Sequence, residues 1–145
     1  MLEKQLKSID SWPLFLKAFV RINQRMENEL KVHDLPDLQT YDLLWTLEQA
    51  PKGMLRFNEL GERVFLSRYN VTRIAKKLEH EGLIKRQRCP SDKRGLYAVL
   101  TEEGRALRQK IWKVYSPIIK KYFSDLLNEN EHKTLIALLR KVYQD

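Results

Sequence analysis

Residues 57–82 set the tightest limit on what this chain can fold into. The stretch FNELGERV at 57–64 places Leu60 and Val64 one helical turn apart. The run at 68–81 then repeats apolar residues at Val71, Ile74, Ala75 and Leu78, so each segment predicts a helix with one apolar side. Only Phe65, Leu66 and Ser67 lie between them, with Ser67 placed as an N-cap whose hydroxyl accepts from the free amides of the next turn. Gly82 follows where a helix end needs a residue of positive φ. Two amphipathic helices joined by so short a turn form a helix-turn-helix.

The next segment changes period. Residues 83–86 and LYAVL at 96–100 read as two strands, with turn chemistry between them from Pro90 to Gly95. Met54, Leu55 and Arg56 are too few for a helix and read as an edge strand with which that hairpin can pair. Thr101 is a second predicted N-cap, followed by Glu102 and Glu103 at the positive end of a helix dipole.

Helices flank this centre. From Ser11 to Lys31, Phe15, Phe19, Ile22, Met26 and Leu30 recur at spacings of three and four, with Pro13 tolerable in the first turn. Pro36 and Asp37 mark a new start, and Leu38, Tyr41, Leu44, Trp45 and Leu47 give a helix that Pro51, Lys52 and Gly53 end. A long helix runs from 102 to about 127, with a kink expected at Pro117. Asn128 and Glu131 form a capping box for a closing helix that carries Leu135, Leu138, Leu139 and Val142. The expected class is therefore mainly α with a small three-stranded β-sheet (α+β).

On the helix at 68–81 periodicity fixes the inward stripe and leaves Arg68, Tyr69, Asn70, Thr72, Arg73, Lys76 and Lys77 outside. Those side chains suit a DNA groove, because Arg donates two bonds to guanine, Asn pairs with adenine, Thr touches a thymine methyl and Lys holds phosphates. A recognition helix reads bases with its N-terminal part, so Arg68, Tyr69, Asn70, Thr72 and Arg73 are the expected base readers, Lys76 and Lys77 the phosphate contacts, and Ser67 a further DNA-binding residue at the helix start. Charge agrees: residues 56–94 hold eleven Lys and Arg against five Asp and Glu, most of the formal net charge of +8 over 145 residues.

The order of helix, helix-turn-helix, two-stranded wing and long helices resembles the MarR family of winged-helix transcriptional regulators. LGERVFLSRYNVTRIAKKLEHEGLIKR, the wing run DKRG at 92–95 and LTEEG at 100–104 carry the likeness. It implies a single domain over 1–145, with a winged helix-turn-helix DNA-binding lobe at 36–101 and helical dimerisation regions at 8–31 and 102–145. It also implies a homodimer, most often a repressor, on a pseudo-palindromic operator of double-stranded DNA. Asp92 and Arg94 match the family's wing pair, which makes Arg94 the minor-groove residue and Asp92 its brace, and Arg86, Arg88 and Lys93 then suit flanking phosphates. An inserted guanidinium is favoured where a narrow A·T-rich minor groove has enhanced negative potential.

The terminal helices carry more large apolar residues than a small winged-helix core can cover, so Phe15, Phe19, Ile118, Ile119, Phe123, Leu135, Leu138 and Leu139 are the interface candidates. The resemblance also implies a pocket for a small aromatic or other organic ligand between the dimer helices and the DNA-binding lobe, for which Trp12, Phe15, Tyr41, Trp45 and Trp112 are the candidate lining. The alternative reading is an RNA- or protein-binding winged-helix module without operator specificity.

Other chemistries lack a sequence signal. His33, His80 and His132 form no close ligand pair, so no metal or cofactor is expected. The absence of a phosphate-binding glycine loop and of a nucleophile–base set argues against an enzyme. Cys89, the one cysteine, reads as a bystander thiol in the wing. A single cysteine, an N-terminus without a secretory signal pattern and the lack of an apolar run of about 20 residues predict a cytoplasmic, non-membrane protein.

Overall fold

The computed structural model describes residues 8–65, 68–88, 91 and 95–143. Its helices are α1 (Ser11–Val32), α2 (Leu38–Gln49), α3 (Phe57–Arg63), α4 (Val71–His80), α5 (Glu102–Tyr122) and α6 (Glu129–Val142), and its strands are β1 (Met54–Arg56), β2 (Ile84–Arg88) and β3 (Leu96–Leu100). The chain is mainly α-helical with one three-stranded antiparallel sheet of order β1-β3-β2, as the sequence predicts. It divides into two compact units, Leu30–Val114 and Met1–Glu29 with Tyr115–Asp145, the division falling within α1 and α5.

In the unit Leu30–Val114, local chemistry sets the element ends. α1 closes in a Schellman motif, with Leu35 N–H donating to the Leu30 carbonyl at 3.0 Å and Asp34 N–H to Lys31 at 3.0 Å. The left-handed residue of that motif is Asp34, at φ 56°. Asp37 then caps α2, its Oδ1 accepting from Thr40 N–H at 2.9 Å. A 3-10 turn at Pro51–Gly53 delivers the chain into β1.

The sheet register pairs Leu55 with Ala98 on one side of β3 and Arg86 with Ala98 on the other. β2 runs two residues further than the sequence suggests, because Gln87 and Arg88 continue the pairing with Tyr97 and Leu96. Leu30, Leu43, Leu44, Leu60, Leu78, Ile84 and Ile111 are almost wholly buried and form the centre of this unit's core.

Residues 68–81 start differently from the expectation. Arg68–Asn70 is a 3-10 turn, and the α-helix begins at Val71 after Asn70, whose side chain makes no cap bond. Tight 3-10 turns are common at helix N-termini because they pair amides and carbonyls that the α-helix leaves open. Ser67 lies outside the described residues. The other end behaves as predicted: Gly82 sits at φ 73°, Leu83 N–H reaches the Leu78 carbonyl at 2.9 Å and Gly82 N–H reaches Glu79 at 3.1 Å, a second Schellman motif. Thr101 caps α5 through its hydroxyl, which accepts from Gly104 N–H at 3.1 Å and donates to the Gly82 carbonyl at 2.7 Å.

In the unit made of the two termini, α1 covers its apolar stripe unevenly. Met26 is buried, whereas Phe15 and Phe19 are half exposed. α5 contains Pro117 and ends at Tyr122, short of the expected 127. Phe123 leaves helical geometry at φ −140°, ψ −65°, and a 3-10 turn at Ser124–Leu126 follows. Glu29 accepts from Lys121 Nζ at 2.9 Å and from the Tyr122 hydroxyl at 2.6 Å, tying the end of α5 to α1. The Asn128/Glu131 capping box opens α6 as predicted, with bonds of 3.0 and 2.8 Å.

Candidate nucleic-acid interface

α4 divides its residues by environment. Val71, Ile74, Ala75 and Leu78 are buried, while Thr72, Arg73, Lys76 and Lys77 are exposed on the opposite side. Ahead of them, Tyr69 is 99% exposed and Asn70 is partly covered. Arg68 opens the 3-10 turn. The expected base readers thus share one solvent-facing surface with the expected phosphate contacts, as far as the described side chains extend.

The helix is held from behind. Asp42 on α2 is buried, and its Oδ2 accepts the Phe65 amide at 2.7 Å from the turn between α3 and α4. The bond ties Phe65, just past the end of α3, to α2 and satisfies a buried carboxyl oxygen. The sequence reading missed this residue, because Asp42 sits in the interior of a helical pattern and its partner lies 23 residues away.

The wing strands place their basic residues unequally. Lys85 and Arg88 are exposed on β2. Arg86 is engaged: its Nε donates to Glu79 Oε2 at 2.6 Å, and its guanidinium lies 4.7 Å from the centre of the Phe57 ring. Cys89, Asp92, Lys93 and Arg94 lie outside the described residues.

The candidate pocket aromatics fall into two groups. Tyr41 lies between Trp45 and Trp112, with ring centres 6.5 and 6.2 Å away and planes within 16° of parallel. Arg108 is positioned over Trp45 at 5.3 Å and pairs with Glu48, which also accepts from Arg105 at 3.0 Å. Burial raises the Tyr41 pKa, and its hydrogen bond with Arg108 opposes that shift. In the terminal unit, Trp12 and Phe15 pair at 6.2 Å.

Of the interface candidates, Phe15, Phe19, Leu138 and Leu139 are exposed, and Ile119, Phe123 and Leu135 are partly covered. Ile118 is the exception. It is 5% exposed in the single chain, so its side chain belongs to the chain's own core. Among the described residues, no group of three or more His, Cys, Asp and Glu is arranged to hold a metal, and no helix is long and apolar enough to cross a membrane.

A helix-turn-helix whose second helix presents a basic outer face, followed by an antiparallel hairpin, defines a winged helix-turn-helix protein. The sequence model of the MarR family matches residues 33–95. The chain is 30% identical over 141 residues to YkoM of Bacillus subtilis, an uncharacterised HTH-type transcriptional regulator, covering 96% of this chain and 88% of that one. It is 34% identical over 128 residues to the HTH-type transcriptional regulator SarZ of Staphylococcus aureus, covering 88% and 82%. The chain belongs to the MarR family of transcriptional regulators. Among solved structures, the MarR family regulator Sco3205 of Streptomyces coelicolor, crystallised in complex with DNA, superposes with a TM-score of 0.83 at 25% identity over 98% of this chain and 91% of that one. A MarR variant from E. coli complexed with operator DNA shares the fold at a TM-score of 0.80 and 22% identity, over 94% and 95% of the two chains.

Proposed function

We propose that this regulator binds a pseudo-palindromic DNA operator as a homodimer and acts as a cytoplasmic repressor, a binding protein rather than an enzyme. The observation that carries the reading is the exposed face of α4, with Tyr69, Thr72, Arg73, Lys76 and Lys77 displayed opposite a fully buried stripe. In this reading Arg68, Tyr69, Asn70, Thr72 and Arg73 read base edges in the major groove and the two lysines hold phosphates. Arg94, braced by Asp92, enters the adjacent minor groove, with Arg88 and Lys93 on the flanking backbone. The DNA complex of Sco3205 supports this use of the fold.

Dimerisation draws support from the uncovered apolar residues of the terminal helices, Phe15, Phe19, Leu138 and Leu139 above all. Two recognition helices then need a separation of about 34 Å to meet successive major grooves. A small organic ligand that changes this separation changes operator affinity. Tyr41, Trp45 and Trp112 in one unit, and Trp12 and Phe15 in the other, are the aromatics assigned to such a ligand.

The test is selection of bound fragments from a random duplex library, followed by gel shifts of Arg73→Ala and Arg94→Ala across a salt series. Each variant should bind the selected palindrome more weakly, and Arg94→Ala should lose about one unit of salt slope. Recovery of fragments without palindromy, or parental binding by both variants, would sink the reading. Exposure of Phe65 and Tyr69 beside the basic helix favours one rival, stacking on single-stranded RNA. Competition of the selected duplex by single-stranded RNA of equal length decides between them.

A further inference from the structure

We propose that Arg86 is a positioning residue that locks the wing strand β2 to the recognition helix, acting through Glu79 and Phe57. It would then set the spacing of the two DNA-reading elements without holding a phosphate. The proposal rests on the DNA-binding reading above.

One residue here joins three elements of the DNA-binding lobe, two through its guanidinium and one through its backbone. Its Nε donates to Glu79 Oε2 near the end of α4, and its plane covers the ring of Phe57, the first residue of α3. Its own backbone pairs with Ala98 of β3. At 2.6 Å the bond to Glu79 is a short charge-assisted contact, and the rigid fork of arginine is suited to pairing and stacking at once.

The position of Glu79 supplies the second line of support. Thr72, Lys76 and Glu79 follow one another at spacings of four and three, so they share one side of α4. An acid on a side otherwise equipped for phosphates repels DNA, and its pairing with Arg86 removes that repulsion. A phosphate drawn to Arg86 would have to approach the Glu79 carboxylate as well. The arrangement makes sense if the pair fixes geometry between helix and strand across the tight Gly82 turn.

The pair is about one-third exposed, so its loss should leave the melting temperature close to that of the parent. The DNA readout is different. Glu79→Ala removes a negative charge from a DNA-facing side, and simple electrostatics predicts tighter binding. The brace predicts weaker binding, by about threefold to tenfold per half-site. Gel shifts of the full chain on its selected duplex, over a salt series, should show Glu79→Ala and Arg86→Ala each weakened with the parental salt slope. The double variant should bind no worse than the weaker single one, since both substitutions break one contact. Arg86→Lys, which keeps the charge but loses fork and stack, should behave like Arg86→Ala.

Tighter or unchanged binding by Glu79→Ala overturns the brace. So does a salt slope reduced by about one in Arg86→Ala together with parental behaviour of Arg86→Lys, the signature of a direct phosphate contact. Failure of the parent chain to bind any duplex overturns the DNA-binding reading itself, and the brace with it. Parental binding with an insensitive Glu79→Ala overturns the brace alone.

Discussion

Gly104 packs directly against the backbone of Leu83: a β-carbon at position 104 would lie 2.1 Å from the Leu83 carbonyl oxygen. That carbonyl also accepts the Thr101 amide at 3.2 Å, so the start of α5 is pressed onto the turn that leaves α4. Two effects of Gly104→Ala oppose each other. Alanine favours the helix by about 1 kcal/mol, but the backbone oxygen cannot yield as a side chain would. The clash should dominate, for a net loss of about 1–3 kcal/mol in unfolding free energy, read as a lower denaturant midpoint. An unchanged or raised midpoint would show that this contact is loose.

Asp34 occupies a left-handed position at φ 56° with both Schellman bonds formed around it. Glycine adopts that conformation without strain, and an acid at a helix C-terminus opposes the dipole. Set against these gains is glycine's greater freedom in the unfolded chain. Asp34→Gly should therefore stabilise by about 0.5 kcal/mol, a rise of roughly 1–2 °C in Tm. A fall in Tm on calorimetry would mean that the Asp34 side chain contributes more than its backbone strain costs.

Glu48 stands between two guanidiniums, and its side chain and that of Arg108 are 11% and 12% exposed. Glu48→Gln leaves Arg105 and Arg108 facing each other with no carboxylate between them. The expected loss is about 3 kcal/mol, with much of it recovered when Arg108→Met is added, because an apolar side chain needs no counter-charge. Urea unfolding of the single and double variants checks both signs. Additive losses would show that the two groups do not act as a pair.

Tyr41 carries a pH signature. Burial raises its phenol above the ordinary value of 10.0, more than the Arg108 hydrogen bond lowers it. A hydroxyl that ionises first in the unfolded chain contributes stability that is intact below the unfolded value and falls as pH rises through it toward the folded one. The parent should therefore lose stability between about pH 9 and pH 11 faster than Tyr41→Phe, measured as the difference between their urea midpoints. Parallel curves would rule out a raised phenol.

Much of the fold is written in local chemistry. The caps Asp37, Thr101 and Asn128, the glycine at 82 and the hairpin depend on bonds between near neighbours and on side-chain period, so the sequence alone determines them. The two-faced character of α4 follows from the same periodicity, and with it the candidate DNA-reading surface. Even within this local layer, the start of α4 at Val71 escaped, since 3-10 and α turns draw on the same residue types.

What only the tertiary structure decided is which members of a pattern are covered and which charges are engaged. Phe15 and Met26 belong to one apolar stripe, yet one is half exposed and the other buried. Ile118 and Ile119 are neighbours, and only the first is core. Asp42 holds an amide 23 residues away, Glu48 meets an arginine 57 residues away, and Arg86 is matched to Glu79 across a turn. Burial and ion pairing depend on which element comes to rest against which. Periodicity says which side of a helix is apolar, but not what lies opposite it.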